Sequence, residues 1–276
     1  MTTAVHEPAP GRGGLGPAYA ASRTRLGLVA LLLALATVGW WWTAREMQSM
    51  DGGPWTQLGT AAWFLGLWVV MMAAMMFPSV APTVALYSKL KHTRAVGAPL
   101  VFAIGYLLVW SAGGVVAYLV ARVGGGWFGD VLAWDRAGRW VAGGTLLAAA
   151  AYELTPLKDV CLGKCRSPLG FLLGSWKDGL SGALDMGARH GLWCAGCCWA
   201  LMASLFALGV MSIVWMAVVA ALVAFEKLIP SRRAATYGTA AVLVVLGALM
   251  LVAPDAVPAL TIPGSGHMSP MGGMSP

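Results

Sequence analysis

The side chains with the most chemistry in this sequence crowd into residues 189–202, which read Arg-His-Gly-Leu-Trp-Cys-Ala-Gly-Cys-Cys-Trp-Ala-Leu-Met. At about 100° per residue, a helix through this stretch brings His190, Cys194 and Cys197 within about 60° of one another, with Cys198 about 40° beyond Cys194. Residues three or four apart can share one ion, whereas His190 and Cys197 are separated by roughly 10 Å of rise. One helix therefore supplies two ligands, and the remainder must come from other segments.

Several segments offer them. Cys161 and Cys165 are spaced i, i+4 and present two thiols from one helical turn. Met71, Met72, Met75 and Met76 add thioethers, and Glu153 and Glu226 add carboxylates in or beside apolar runs, where an unpaired charge costs several kcal/mol, roughly. Thiolate, thioether and imidazole together suit a soft or borderline transition metal, copper(I) first and zinc second. Each group also has a plainer reading. Met and Cys pack helices, His190 can sit solvated at a helix entrance, and Glu226 beside Lys227 reads as an interfacial ion pair. His267, Met268, Met271 and Met274 in the C-terminal tail form a further Met-rich strand, equally readable as incidental.

The elements that must position these groups are membrane spans. The 276 residues are 59% hydrophobic and 11% charged, with 14 Trp and 15 Met, far from a soluble average of about 25% charged. The pattern is all-α: a polytopic transmembrane bundle of about seven spans, expected near 26–42, 58–77, 100–121, 140–157, 192–208, 212–226 and 236–253. Pro78 and Pro82 are expected to kink or end the second, with helical continuation toward Tyr87 as the alternative. Residues 1–25 read as a disordered tail, 26–253 as the transmembrane domain with a long polar cytoplasmic loop at 158–189, and 254–276 as a Met/Pro/Gly-rich tail. No cleavable leader and no internal repeat is legible.

The formal charge is +7, but the basic residues lie between apolar runs and make no continuous stripe, which speaks against nucleic acid. Fourteen of the 18 Lys and Arg fall on one side of the alternating topology. That asymmetry puts the N-terminus in and the C-terminus out, as in a bacterial inner membrane. It also brings the Met cluster, Glu153, Cys161, Cys165, His190, Cys194 and Glu226 to the cytoplasmic end. The five cysteines all lie between Cys161 and Cys198 and do not form a secreted disulfide framework.

At these positions the chain resembles a bacterial family of predicted metal-binding integral membrane proteins, a domain of uncharacterised function. The stretches concerned are Trp-Val-Val-Met-Met-Ala-Ala-Met-Met-Phe-Pro-Ser-Val-Ala-Pro (68–82), Tyr-Glu-Leu-Thr-Pro-Leu-Lys-Asp-Val-Cys-Leu-Gly-Lys-Cys-Arg-Ser-Pro (152–168), residues 187–202, and Phe-Glu-Lys (225–227). The resemblance implies a multi-helix inner-membrane protein that binds metal. It names neither the metal nor the reaction, and it does not reach the tails.

The functional expectation is metal handling, delivery or transport in the lipid bilayer, with a metallochaperone or metalloenzyme as partner. One alternative is thiol-disulfide exchange using Cys161/Cys165 and Cys194/Cys197. Another is a structural or assembly subunit of a membrane complex. No Ser-His-Asp set or phosphate loop indicates a hydrolase.

Overall fold

The computed structural model describes residues 16–48, 60–90, 97–128, 138–208 and 212–256. Residues 1–15, most of the basic loop after Lys89, and the Met-rich tail lie outside them. The described residues are all-helical, without strands. In order they form α1 (Gly16–Gln48), α2 (Ala61–Tyr87), α3 (Ala98–Phe128), α4 (Arg139–Glu153), α5 (Pro156–Arg166), α6 (Pro168–Gly174), α7 (Gly179–Leu208), α8 (Ile213–Leu228) and α9 (Arg232–Val252).

Local chemistry sets these boundaries. The hydroxyls of Thr60, Thr155, Ser212 and Ser231 each accept a hydrogen bond from the backbone N–H three residues on, capping α2, α5, α8 and α9. Pro156 follows its cap at the first helical position, where the missing N–H costs nothing. Pro78 and Pro82 do not end α2, which follows the other expectation and continues to Tyr87. Pro78 cannot donate to the Ala74 carbonyl, and the Trp40 indole N–H of α1 donates there instead at 3.1 Å.

Three other expectations change. The polar segment 158–189 is not a loop: it folds into α5, α6 and the first third of α7. Its small and polar residues still satisfy backbone groups best as helix once they pack on neighbours. Helix α1 begins at Gly16, inside the stretch read as a tail, where Ala18, Ala20 and Ala21 favour helix. Four stretches among the described residues are long and apolar enough to cross a membrane, against seven expected: Leu26–Glu46, Ala61–Tyr87, Ala98–Gly124 and Arg232–Val252. Helices α4 and α8 have 15 and 16 residues, about 22–24 Å of rise against a hydrocarbon core of about 30 Å.

Helix α7 is central, packed by α3, α4, α5 and α8. Its contact with α3 is backbone to backbone. A Cβ added at Gly187 would overlap the Phe102 carbonyl, one at Gly105 would overlap that of Leu184, and one at Gly191 would stand 3.0 Å from that of Tyr106. Gly187 and Gly191 make the small-xxx-small spacing that lets apolar helices approach closely. Large apolar side chains such as Leu35 and Val38 on α1, Ile104 and Val116 on α3, and Val244 and Val245 on α9 face outward.

Helices α2, α4 and α8 finish at the end of the bundle where α3, α7 and α9 start. There Tyr87 stacks on Phe102 with centroids 5.4 Å apart, and Arg232 pairs with Asp159 at 2.6 Å. Elsewhere, near the C-terminal end of α1 and the start of α4, Arg45 lies 4.2 Å over the Trp41 ring and Arg139 lies 5.1 Å over that of Trp140. These cation–π pairs combine two residue types that settle at membrane interfaces.

Substituting Gly187→Val should force α3 and α7 apart and cost about 1–3 kcal/mol or more. Gly113→Ala, into open space, should be neutral or mildly stabilising. Thermal midpoints of the two detergent-solubilised variants check this, and equal midpoints would contradict the backbone contact.

Candidate metal centre

Cys194, Cys197 and Cys198 occupy one and a half turns of α7, and their sulfurs all lie within 4.8 Å of one another. All three are buried. With metal–sulfur bonds of about 2.3 Å, the length in zinc sites, two opposed sulfurs stand about 4.6 Å apart, so this spacing suits one shared ion. Cys197 Sγ is 3.3 Å from Cys198 Sγ and 3.7 Å from Cys165 Sγ of α5. A second helix thus brings a fourth thiol to the group. All five cysteines are free.

Helix α4 steadies the α7 backbone here. Tyr152 donates its hydroxyl to the Gly196 carbonyl at 2.6 Å, and its ring meets Trp199 edge-on at 4.9 Å. Gly196 is a glycine because of the fifth cysteine: a Cβ there would stand 2.8 Å from Cys161 Sγ. Cys161 and Cys165 therefore straddle the Gly196–Cys197 step. Burial pushes the Cys161 thiol above its ordinary pKa.

The thiols have polar partners that the sequence reading missed. Lys227 of α8 places its ammonium 3.2 Å from Cys194 Sγ and 3.1 Å from Ser79 Oγ of α2. The Tyr106 hydroxyl of α3 lies 3.0 Å from the same Cys194 sulfur. One thiol is thus met by a cation and a hydroxyl from two other helices, an arrangement that favours sulfur carrying negative charge.

Glu153 and Glu226 belong to a separate group. Both are about 1% exposed, and both bind the ammonium of Lys158, which is equally buried. Lys158 Nζ donates to Glu153 and, at 2.7 Å and 2.9 Å, to the two oxygens of Glu226. The anticipated Glu226–Lys227 pair does not form. Successive helical residues diverge by about 100°, so Glu226 turns to α5 while Lys227 turns to the thiols. One oxygen of Glu153 keeps no hydrogen-bond partner. The signal for Lys158 was present: Thr155-Pro156 starts a helix and sets Lys158 in its first turn, five residues after Glu153.

His190 lies one turn before Cys194 but outside the three-thiol group. Its ring is boxed by Phe171, Phe102 and Tyr106 at centroid distances of 5.1, 5.9 and 6.0 Å, and its Nδ1 has no hydrogen-bond partner. Met71, Met72, Met75 and Met76 are all buried in the common core. Met72, Met75 and Met76 precede Ser79 by seven, four and three residues on neighbouring faces of α2.

A family model described as PpoB2, copper chaperone, matches residues 65–250. The chain belongs to this copper chaperone family. No curated protein and no solved structure matches it. The matched region includes all five cysteines, Lys158, Lys227 and both buried glutamates, and the grouped thiols fit the soft donor set that copper(I) prefers.

Lys158→Met should leave two carboxylates buried without a cation and destabilise the protein by about 3–5 kcal/mol. Adding Glu153→Gln and Glu226→Gln in the same chain should restore much of that. Midpoints of thermal unfolding in detergent report both steps; a fully stable single variant would contradict the ion triad.

Proposed function

We propose that this protein is a membrane-embedded copper(I) carrier that holds the ion on Cys194, Cys197 and Cys198, joined by Cys165, and passes it to a copper-requiring protein. The observation that carries the proposal is the meeting of three buried sulfurs within 4.8 Å, in a chain of the copper chaperone family. Copper is cargo here, so the site must bind and also release it. Lys227 offsets the negative charge that a copper(I) thiolate complex brings into an apolar bundle. Met72, Met75, Met76 and His190 are reserve soft donors along the way in or out. Glu153 and Glu226 act as fasteners of α5.

The setting we propose is the bacterial cytoplasmic membrane, with the site at the cytoplasmic end. Four apolar helices and the outward-facing Leu, Val and Ile side chains support a lipid surround. The proposed seven spans take in α4, α7 and α8 as well. The two shorter ones then require a locally thinned bilayer or flanking basic residues that reach the headgroups. The clustering of Lys and Arg on one side favours N-terminus in and C-terminus out.

Replacing Cys194, Cys197 and Cys198 with Ser should abolish copper(I) retention by the purified protein after desalting, while the wild type keeps it. Unchanged stoichiometry would reject the site. Lys227→Met should weaken copper(I) affinity by about 10–100-fold, the range typical of groups that bond to metal ligands. Lys227→Arg, which keeps the charge, should retain most of it. Competition with a chromogenic copper(I) chelator measures both. Accessibility of single cysteines to a membrane-impermeant thiol reagent in intact cells checks the orientation, and labelling of Cys165 from outside would overturn it.

A further inference from the structure

Beside the thiol group, α5, α6 and α7 line an open cavity of about 650 Å³. Cys161 is on its wall with Phe171, Ser175 and Trp193, and two exposed cations, Lys164 and Arg189, complete the lining. No carboxylate is among the described lining residues. The nearby Asp185 is already taken up by Lys177 and Arg189, each at 2.9 Å, so cations outnumber anions on this face. The volume falls in the range of about 300–1,000 Å³ usual for small-ligand sites.

We infer that this cavity receives a small anionic thiol carrying copper(I), and that Cys161 is the first protein sulfur to take the ion from it. The inference rests on the copper-carrier reading above and adds the substrate form. Copper(I) travels bound to soft donors, and a small thiol bearing carboxylates meets both needs of the cavity. Its carboxylates pair with the guanidinium of Arg189, which has donors beyond the Nε bonded to Asp185, and with the Lys164 ammonium. Its sulfur-bound copper then faces the Cys161 thiol.

The step is a ligand exchange. The bond between copper and the carrier sulfur breaks, a bond between copper and Cys161 Sγ forms, and the Cys161 proton leaves with the carrier thiolate as its thiol. Copper stays in the +1 state and nothing is oxidised. Cys165 follows one turn later on α5, with its sulfur 3.7 Å from that of Cys197. Repeating the same exchange moves the ion from the cavity to the buried group.

The test follows loading of full-length, detergent-purified protein by the ultraviolet absorbance of copper(I) thiolates. The ion is supplied either on glutathione, an anionic thiol, or on 2-mercaptoethanol, a neutral one. The double variant Lys164→Gln, Arg189→Gln should load roughly tenfold more slowly from glutathione, the loss expected for charge-assisted contacts. From 2-mercaptoethanol it should load at the wild-type rate, and from both it should reach wild-type final copper. Cys161→Ser should slow loading from glutathione without lowering final copper, and S-methylglutathione, which lacks a free thiol, should compete. Equal rates for the double variant and wild type with glutathione, or equal slowing with both donors, would overturn the cavity's role. A wild-type protein that retains no copper from either donor would instead remove the carrier reading itself, and this inference with it.

Discussion

A lysine ammonium can stay buried in an apolar bundle only if anions meet it, and here the anions come from two different helices. Lys158 of α5 binds Glu153 at the end of α4 and Glu226 at the end of α8. Removing any member would strand charge where water cannot reach it. That requirement fixes the short helix α5 against helices that would otherwise be free to slide past it. Arg166 at the other end of α5 completes the attachment by donating to the backbone carbonyls of Glu226, Ile229 and Pro230. Cys161 and Cys165 lie between the two anchors, so ionic fastening determines where two sulfurs are presented.

The opposite wall depends on the absence of side chains. Helices α3 and α7 touch through Gly105, Gly187 and Gly191, and dispersion over so close a contact favours helix association where lipid offers no hydrophobic driving force. The approach carries Tyr106 to the Cys194 sulfur. Fastening α5 by charge and α3 by close packing leaves α7 with a thiol-bearing face that is enclosed and held from both sides. Lys227 of α8 adds a cation to that enclosure and ties it to Ser79 of α2.

Two positively charged groups thus serve opposite ends of one design. Lys158 is consumed by carboxylates and keeps the scaffold together, while Lys227 faces sulfur. Adjacent residues Glu226 and Lys227 feed these two networks separately, which couples the scaffold to the site through one turn of α8.

The one-dimensional pattern determined the all-helical class and the apolar helices. Those properties follow from composition and from periodicity. The i, i+3 and i, i+4 spacing of Cys194, Cys197 and Cys198 is likewise a property of one helix, and it survives into the structure. Tertiary structure decided which donors meet. Glu153 and Glu226 are taken by Lys158, His190 is boxed by aromatic rings, and Cys165 is the thiol that joins the α7 group. It also decided that the polar stretch after Lys158 is helical and that Lys227 turns to Cys194. Partner choice among charged and soft groups depends on distances between segments up to 148 residues apart, as for Lys227 and Ser79. Helical periodicity carries no information across such separations; only packing of the helices does.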